Sequence, residues 1–222
     1  MKEGEIENSL IEVIGSSGGT DLLQEAGEFA LDQILEDGIV KDFPVLGTVT
    51  KLFKAVLGVQ GYIFAKKLKR FYTSLSAIPL SERDSFRNRI ESDTKFRNRV
   101  GENLLLLIDK LDDMAKPELL ARAFSGFVKE EYDFTTFQRL AVAIDRCIFS
   151  DLEILRGVSN RAKLDPHVAQ MFSAAGLMEI EVIPQVRAPG VENLYQITDF
   201  GRLFVRIVID GSKQVQENDS SA

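Results

Sequence analysis

Ten cations between Lys51 and Arg99 are the residues here best suited to chemistry. They are Lys51, Lys54, Lys66, Lys67, Lys69 and Arg70, then Arg87, Arg89, Arg97 and Arg99. An ammonium is a compact point charge, and a guanidinium is a planar fork that grips an oxyanion with two N–H groups. Gathered on one face, they would hold acidic phosphates, nucleic acid or lipid headgroups. They are therefore the candidate anion- or membrane-binding residues. The plainer alternative is an ordinary solvated helix face that answers the acidic N-terminus.

Catalytic chemistry is harder to assemble. The single histidine, His167, follows Asp165-Pro166 at the start of a helix, and no motif supplies it with a nucleophile, a carboxylate or metal co-ligands. It reads as a surface or capping residue. The one cysteine, Cys147, lies in an apolar stretch and reads as a buried small hydrophobe. GSSGGT (15–20) lacks the terminal Gly-Lys-Ser/Thr of a phosphate-binding loop and reads as a connector. The pairs Asp112-Asp113 and Glu130-Glu131 fall at helix ends, where adjacent carboxylates do not converge on a substrate. No catalytic residue, metal site or cofactor is expected, and the chain reads as non-enzymatic.

Charge is unevenly spread over the 222 residues. Residues 1–43 hold 11 acids and 2 bases, residues 44–100 hold 4 acids and 12 bases, and the rest hold 19 acids and 13 bases. An acidic head thus precedes a basic amphipathic segment. The N-terminus MKEGEIENSL lacks the layout of a signal peptide, and no apolar run reaches the roughly 18 residues of a membrane span. These features lead to the expectation of a soluble, cytoplasmic protein, with the alternative of a peripheral position at the inner membrane.

The elements that must position the cations are mostly helices. Periodicity of 3.6 residues predicts short helices over 6–13 and from about 21, the latter with Gly38 as its C-cap. After Pro44, residues 44–65 read as either a core helix pair or a membrane-interface segment. Phe64, Leu68, Phe71, Tyr72 and Leu75 continue as an apolar stripe with Lys66, Lys67, Lys69 and Arg70 beside it. Ser81 and Asp84 suggest a capping box, and Ser92 or Asp93 caps the next helix. Pro117 suits the first residue of a further helix, with Leu119, Leu120, Ala123, Phe124 and Phe127 inward. Helices follow at 134–147 and, after Ser150, at 151–158. FRNRI (86–90) and FRNRV (96–100) echo each other but are too short for an architectural repeat.

The last quarter changes character. Asp165-Pro166 opens a helix ending at Gly176, LMEIEVI (177–183) alternates like a strand, and NLYQI (193–197) reads as a second strand. Thr198 caps a final helix with Phe200, Leu203, Phe204, Ile207 and Val208 inward, and 212–222 reads as a disordered tail.

The segments FSAAGLMEIEVI and NLYQITDFGRLFV resemble the ending of a bacterial winged helix-turn-helix domain: short helix, Gly-Leu, strand, wing, strand, Thr-x-x-Gly, helix. The resemblance covers residues 166–210. It implies an α+β C-terminal module, and the ending looks bacterial or phage-derived. Residues 102–158 are loosely similar to small bacterial helical domains of the tellurite-resistance type, from which no residue is carried across. DNA binding is not implied by the residues, because the candidate recognition helix offers only Gln170 and His167, the wing only Arg187, and Glu179 and Glu181 lie beside it.

The expectation is a mainly α protein. It has a multi-helix N-terminal bundle over 1–158 and a small winged-helix-like module over 159–211. The expected function is that of an interaction protein, an adaptor, sensor or regulator, in the style of accessory proteins in phage-defence or conflict systems. A protein partner or a homo-oligomer is expected, an anionic lipid surface is the alternative, and sequence-specific DNA is not expected. The other classes weighed are a membrane-associating helical effector using residues 44–75 and a winged-helix transcriptional regulator.

Overall fold

A computed structural model describes residues 59–158, 160–180 and 194–211. The readings made above for residues 1–58, 181–193 and 212–222 lie outside them. Helix accounts for 72% of the described residues, which makes the protein mainly α, and a small antiparallel sheet sits near the C-terminus. The chain divides into two compact units, Met1–Pro117 and Glu118–Ala222.

In the first unit, α1 (Val59–Leu75), α2 (Leu80–Glu91) and α3 (Thr94–Lys110) pack together, with α3 touching both others. The periodic apolar positions do the packing. Phe64, Leu68, Phe71, Tyr72 and Leu75 of α1 are all buried, as are Phe86 and Ile90 of α2 and Val100, Leu104 and Ile108 of α3. Positions three and four apart share a helix face, so this spacing dictates the burial. Asp93 caps α3 by accepting from the backbone N–H groups of Lys95 and Phe96, each at 3.0 Å. The start of α2 differs from the expected capping box. The helix begins at Leu80 with Pro79 as its N-cap and no side-chain cap. Proline's fixed φ sets the entry one residue early, which leaves Ser81 inside the first turn and Asp84 to pair with Arg87.

The second unit carries α4 (Lys116–Val128, which opens two residues before the division), α5 (Phe134–Arg146) and α6 (Phe149–Arg156). Phe124, Phe127, Phe134 and Phe137 form one buried aromatic cluster, with ring centroids 5.4–6.0 Å apart. Cys147 is buried at the end of α5. Then come β1 (Arg161–Ala162), α7 (Pro166–Ala174), β2 (Met178–Ile180), β3 (Tyr195–Ile197) and α8 (Asp199–Phe204), which runs into a π-turn at Val205–Ile209. The sheet order is β1-β3-β2, both pairs antiparallel, with Ala162 and Ile180 opposite Tyr195 and Met178 opposite Ile197.

Two local devices close this unit. Asp165 caps α7 by accepting from the N–H of His167, and α7 ends in a Schellman motif. There the N–H groups of Gly176 and Leu177 reach the carbonyls of Ser173 and Phe172, with Gly176 at φ 77°. Thr198 caps α8 by accepting from the N–H of Gly201 at 2.8 Å, and its hydroxyl donates to the carbonyl of Gly176 at 2.7 Å. Helix end, strand start and helix start are thereby joined through one threonine.

The division at Pro117/Glu118 differs from the change of character that the sequence shows near 158. Within the second unit, two arginines join its helices to its C-terminal end. Arg122 of α4 donates to the carbonyls of Val208 and Ile209, both at 3.0 Å, and Arg156 of α6 bonds Ile209 O at 3.0 Å and Asp210 at 3.1 Å. The helices over 118–156 are thus tied to the last turn of the chain, where carbonyls lack intrahelical partners.

Candidate anion-binding face

Helical phase sorts the cations of α1. Phe64, Leu68, Phe71 and Leu75 take the inner stripe, which leaves Lys69 and Arg70 exposed and Lys66 half-buried, with its ammonium 5.7 Å from the centre of the Tyr62 ring. Lys67 departs from the surface position its neighbours suggest. It is only 8% exposed, and its Nζ donates to the carbonyl of Asp109 at 2.8 Å. Burial holds its pKa below the ordinary lysine value, against the opposing pull of Asp109 and Asp112. Arg70 also turns to backbone, with Nη1 donating to Met114 O at 3.0 Å. Both cations therefore serve the C-terminal end of α3 and the turn after it, where the helix presents partial negative charge.

The FRNR echo becomes a repeated local geometry. Arg89 lies over the ring of Phe86 at 5.3 Å, and Arg99 lies over Phe96 at 5.2 Å. Each pair is separated by three residues, the spacing that puts two side chains on neighbouring turns of one face. Between them, Arg87 pairs with Asp84. Arg97 makes no side-chain hydrogen bond or ion pair among the described residues, and its Nε, like that of Arg87, is buried without a partner. Of the ten candidate cations, Lys51 and Lys54 lie outside the described residues, seven belong to outward or partly exposed positions on α1, α2 and α3, and Lys67 is inside.

Two functional-looking cations escaped the sequence pattern. Arg83 donates through Nε to Ile78 O at 2.7 Å and through Nη2 to Ser76 O at 3.2 Å, closing the turn between α1 and α2. Its only signal is its place four residues after Pro79. Lys116 is 1% exposed, and its Nζ meets Asp112 at 2.5 Å. That hydrogen bond holds the Asp112 carboxyl below the usual carboxylate range. A lysine before a proline carries no sequence mark of burial.

In the second unit, His167 and Gln170 are exposed on α7 and Glu179 is exposed on β2, while Arg187 and Glu181 lie outside the described residues. Among the described residues no three His, Cys, Asp or Glu side chains are placed to hold a metal ion, and no helix is long and apolar enough to cross a membrane. The chemistry on offer in the first unit is recognition of oxyanions by guanidinium and ammonium groups held on rigid helices. Compared with family models, with curated proteins and with solved structures, the chain matches none.

Proposed function

We propose that this chain is a non-enzymatic interaction protein, an adaptor, sensor or regulator, that meets an anionic surface of its partner through α1–α3. One observation carries this reading: the cations of three packed helices are braced by their own scaffold. Arg89 and Arg99 lie against phenylalanine rings, Lys66 lies over a tyrosine ring, and Lys69 and Arg70 project from a helix whose opposite face is buried. Bracing lowers the entropy lost when a long side chain is fixed by a partner. The apolar stripe from Phe64 to Leu75 is spent inside the protein, which favours a protein partner over insertion into lipid. A part in phage defence rests on the resemblance alone.

The experiment is capture by the immobilised full-length chain at low and high salt. The partner should be lost at high salt, because exposed charges are screened within about 8–10 Å at physiological ionic strength. A Lys69→Glu variant with an unchanged melting profile should lose it at both. Capture indifferent to salt and to this reversal would remove the reading.

A winged-helix-like character of the C-terminal module is favoured by the strand order β1-β3-β2 and by the tight seat of Gly201 under Leu177. For this module we favour protein contact over sequence-specific DNA, since α7 exposes Gln170 and His167 but no Lys or Arg. A sequence-specific duplex shift at nanomolar protein, abolished by Gln170→Ala, would reverse that preference.

A further inference from the structure

We infer that the acidic segment 21–37 of this same chain docks on the outward face of α1 and α3 and covers the cations there until an anionic partner displaces it. The inference rests on the proposed function, since it names what regulates access to that face.

The face carries apolar residues among its charges. Lys67 of α1 bonds the carbonyl of Asp109 on α3, and Arg70 reaches Met114 just beyond it, so the two helices advance in the same direction. One turn before these contacts stand Ile63 on α1 and Leu106 on α3, 41% and 69% exposed. Lys66 and Arg70 lie one and two turns after Ile63, on its side of α1. On α3, Lys95, Arg99 and Lys110 share the side of Leu106, and all three are exposed. Glu102 and Asp109 are the acids of that side, so positive charge prevails. A bare polyanion would leave both aliphatic side chains in water. An acidic segment with apolar residues of its own covers charge and aliphatic surface together.

Residues 21–37, outside the described residues, have that chemistry in their sequence. Asp21, Glu25, Glu28, Asp32 and Glu36 recur at spacings of four, three, four and four, one stripe on a helix, and Leu22 and Phe29 border it. No Lys or Arg stands between Asp21 and Asp37. Residues 38–58 span at most about 70 Å fully extended, and α1 is about 25 Å long, so the segment reaches this face from within the chain. Tethering gives it an effective concentration of roughly millimolar order, which a second copy at micromolar concentration does not match.

The test uses the full-length chain. Zero-length coupling of carboxylates to lysine amines, on an equal mixture of unlabelled and heavy-nitrogen-labelled chains, should join 21–37 to Lys66, Lys95 or Lys110 within one chain, read by mass spectrometry. Poly-L-glutamate, titrated at constant ionic strength, reports whether the face is covered. Leu106→Ser changes no charge, and it should raise the affinity for poly-L-glutamate by at least about threefold, because docking loses an apolar contact. A Glu25→Gln, Glu28→Gln, Asp32→Asn variant should raise it by at least about tenfold. A Glu3→Gln, Glu5→Gln, Glu7→Gln variant makes the same change in net charge outside the segment and should raise it by less than about threefold. Should Leu106→Ser fail to fold, the two acid variants decide. Cross-links formed only between chains would seat a second copy on the face and overturn the proposal. So would the absence of cross-links from 21–37 to these lysines, or an equal gain from the two acid variants, or no gain from either. Same-chain cross-links beside capture that ignores salt and Lys69→Glu would remove the proposed function and keep the docking. Salt-sensitive capture without the cross-links would remove the docking alone.

Discussion

The carbonyl of Leu177 presses on the α-carbon of Gly201 so closely that no side chain fits between them; a Cβ there would also stand 2.8 Å from Cγ1 of Ile197. The neighbouring Thr198 bonds back to the same stretch, so the glycine and the threonine hold the start of α8 against the exit of α7. Gly201→Ala should destabilise the second unit by about 1–3 kcal/mol, the usual cost of overpacking, read as a lowered denaturation midpoint. A midpoint equal to wild type would mean that this contact yields freely.

Glu130 should be improved by losing its side chain. It ends α4 at φ 61° as the left-handed residue of a Schellman motif, with the N–H of Glu131 on Gly126 O at 2.9 Å. A non-glycine residue there costs about 1–2 kcal/mol, and glycine's extra unfolded-state entropy offsets part of the gain. Glu130→Gly should therefore raise stability by about 0.5–1 kcal/mol in chemical denaturation. A destabilised variant would show that the interactions of the Glu130 side chain outweigh the strain.

The two buried tyrosines should answer differently to the same change. The hydroxyl of Tyr72 is buried with no hydrogen-bond partner, whereas that of Tyr132 donates to the carbonyl of Ala123. Tyr72→Phe should be neutral or stabilising by up to about 1 kcal/mol, and Tyr132→Phe should cost about 1 kcal/mol. Burial raises both pKa values above that of an exposed tyrosine, with Glu131 adding to the rise at Tyr132. A raised folded-state pKa stabilises the fold below the unfolded value of about 10, and that stability is lost as pH climbs past it. Melting temperature should therefore fall above about pH 10, less steeply in Tyr72→Phe. An identical alkaline limb in the variant would remove Tyr72 as its cause.

Lys67 and Lys69 stand two positions apart and should behave as opposites. Lys67→Glu places an anion in a nearly closed site beside the Asp109 carbonyl, and should cost about 3 kcal/mol. Lys69→Glu, at an exposed position, should change stability by less than about 1 kcal/mol. Equal denaturation midpoints for the two variants would show that Lys67 reaches water in solution. Charge-reversal tests of partner binding should accordingly leave Lys67 in place.

What the sequence determined by itself is local. The stripe Phe64, Leu68, Phe71, Tyr72 and Leu75 was legible because helical phase repeats every three to four residues, and all five are buried. Thr198 was legible as a cap, Asp93 as one of two candidates with Ser92, and Asp165-Pro166 as a helix start, because a cap bonds to a backbone N–H two or three residues on. The outward cations of the candidate face were legible for the same reason. Tertiary structure decided everything set by partners distant in the chain. Within the second unit, Arg122 and Arg156 reach carbonyls near 208–209, more than fifty positions away. Lys67 faces inward because Asp109, 42 positions later, offers it an acceptor. Arg97 carries the same residue type and spacing as Arg87, and both keep a buried Nε without an acceptor, yet only Arg87 finds a carboxylate, that of Asp84. Periodicity states which face a residue occupies; only the packed neighbours state whether its charge is met there.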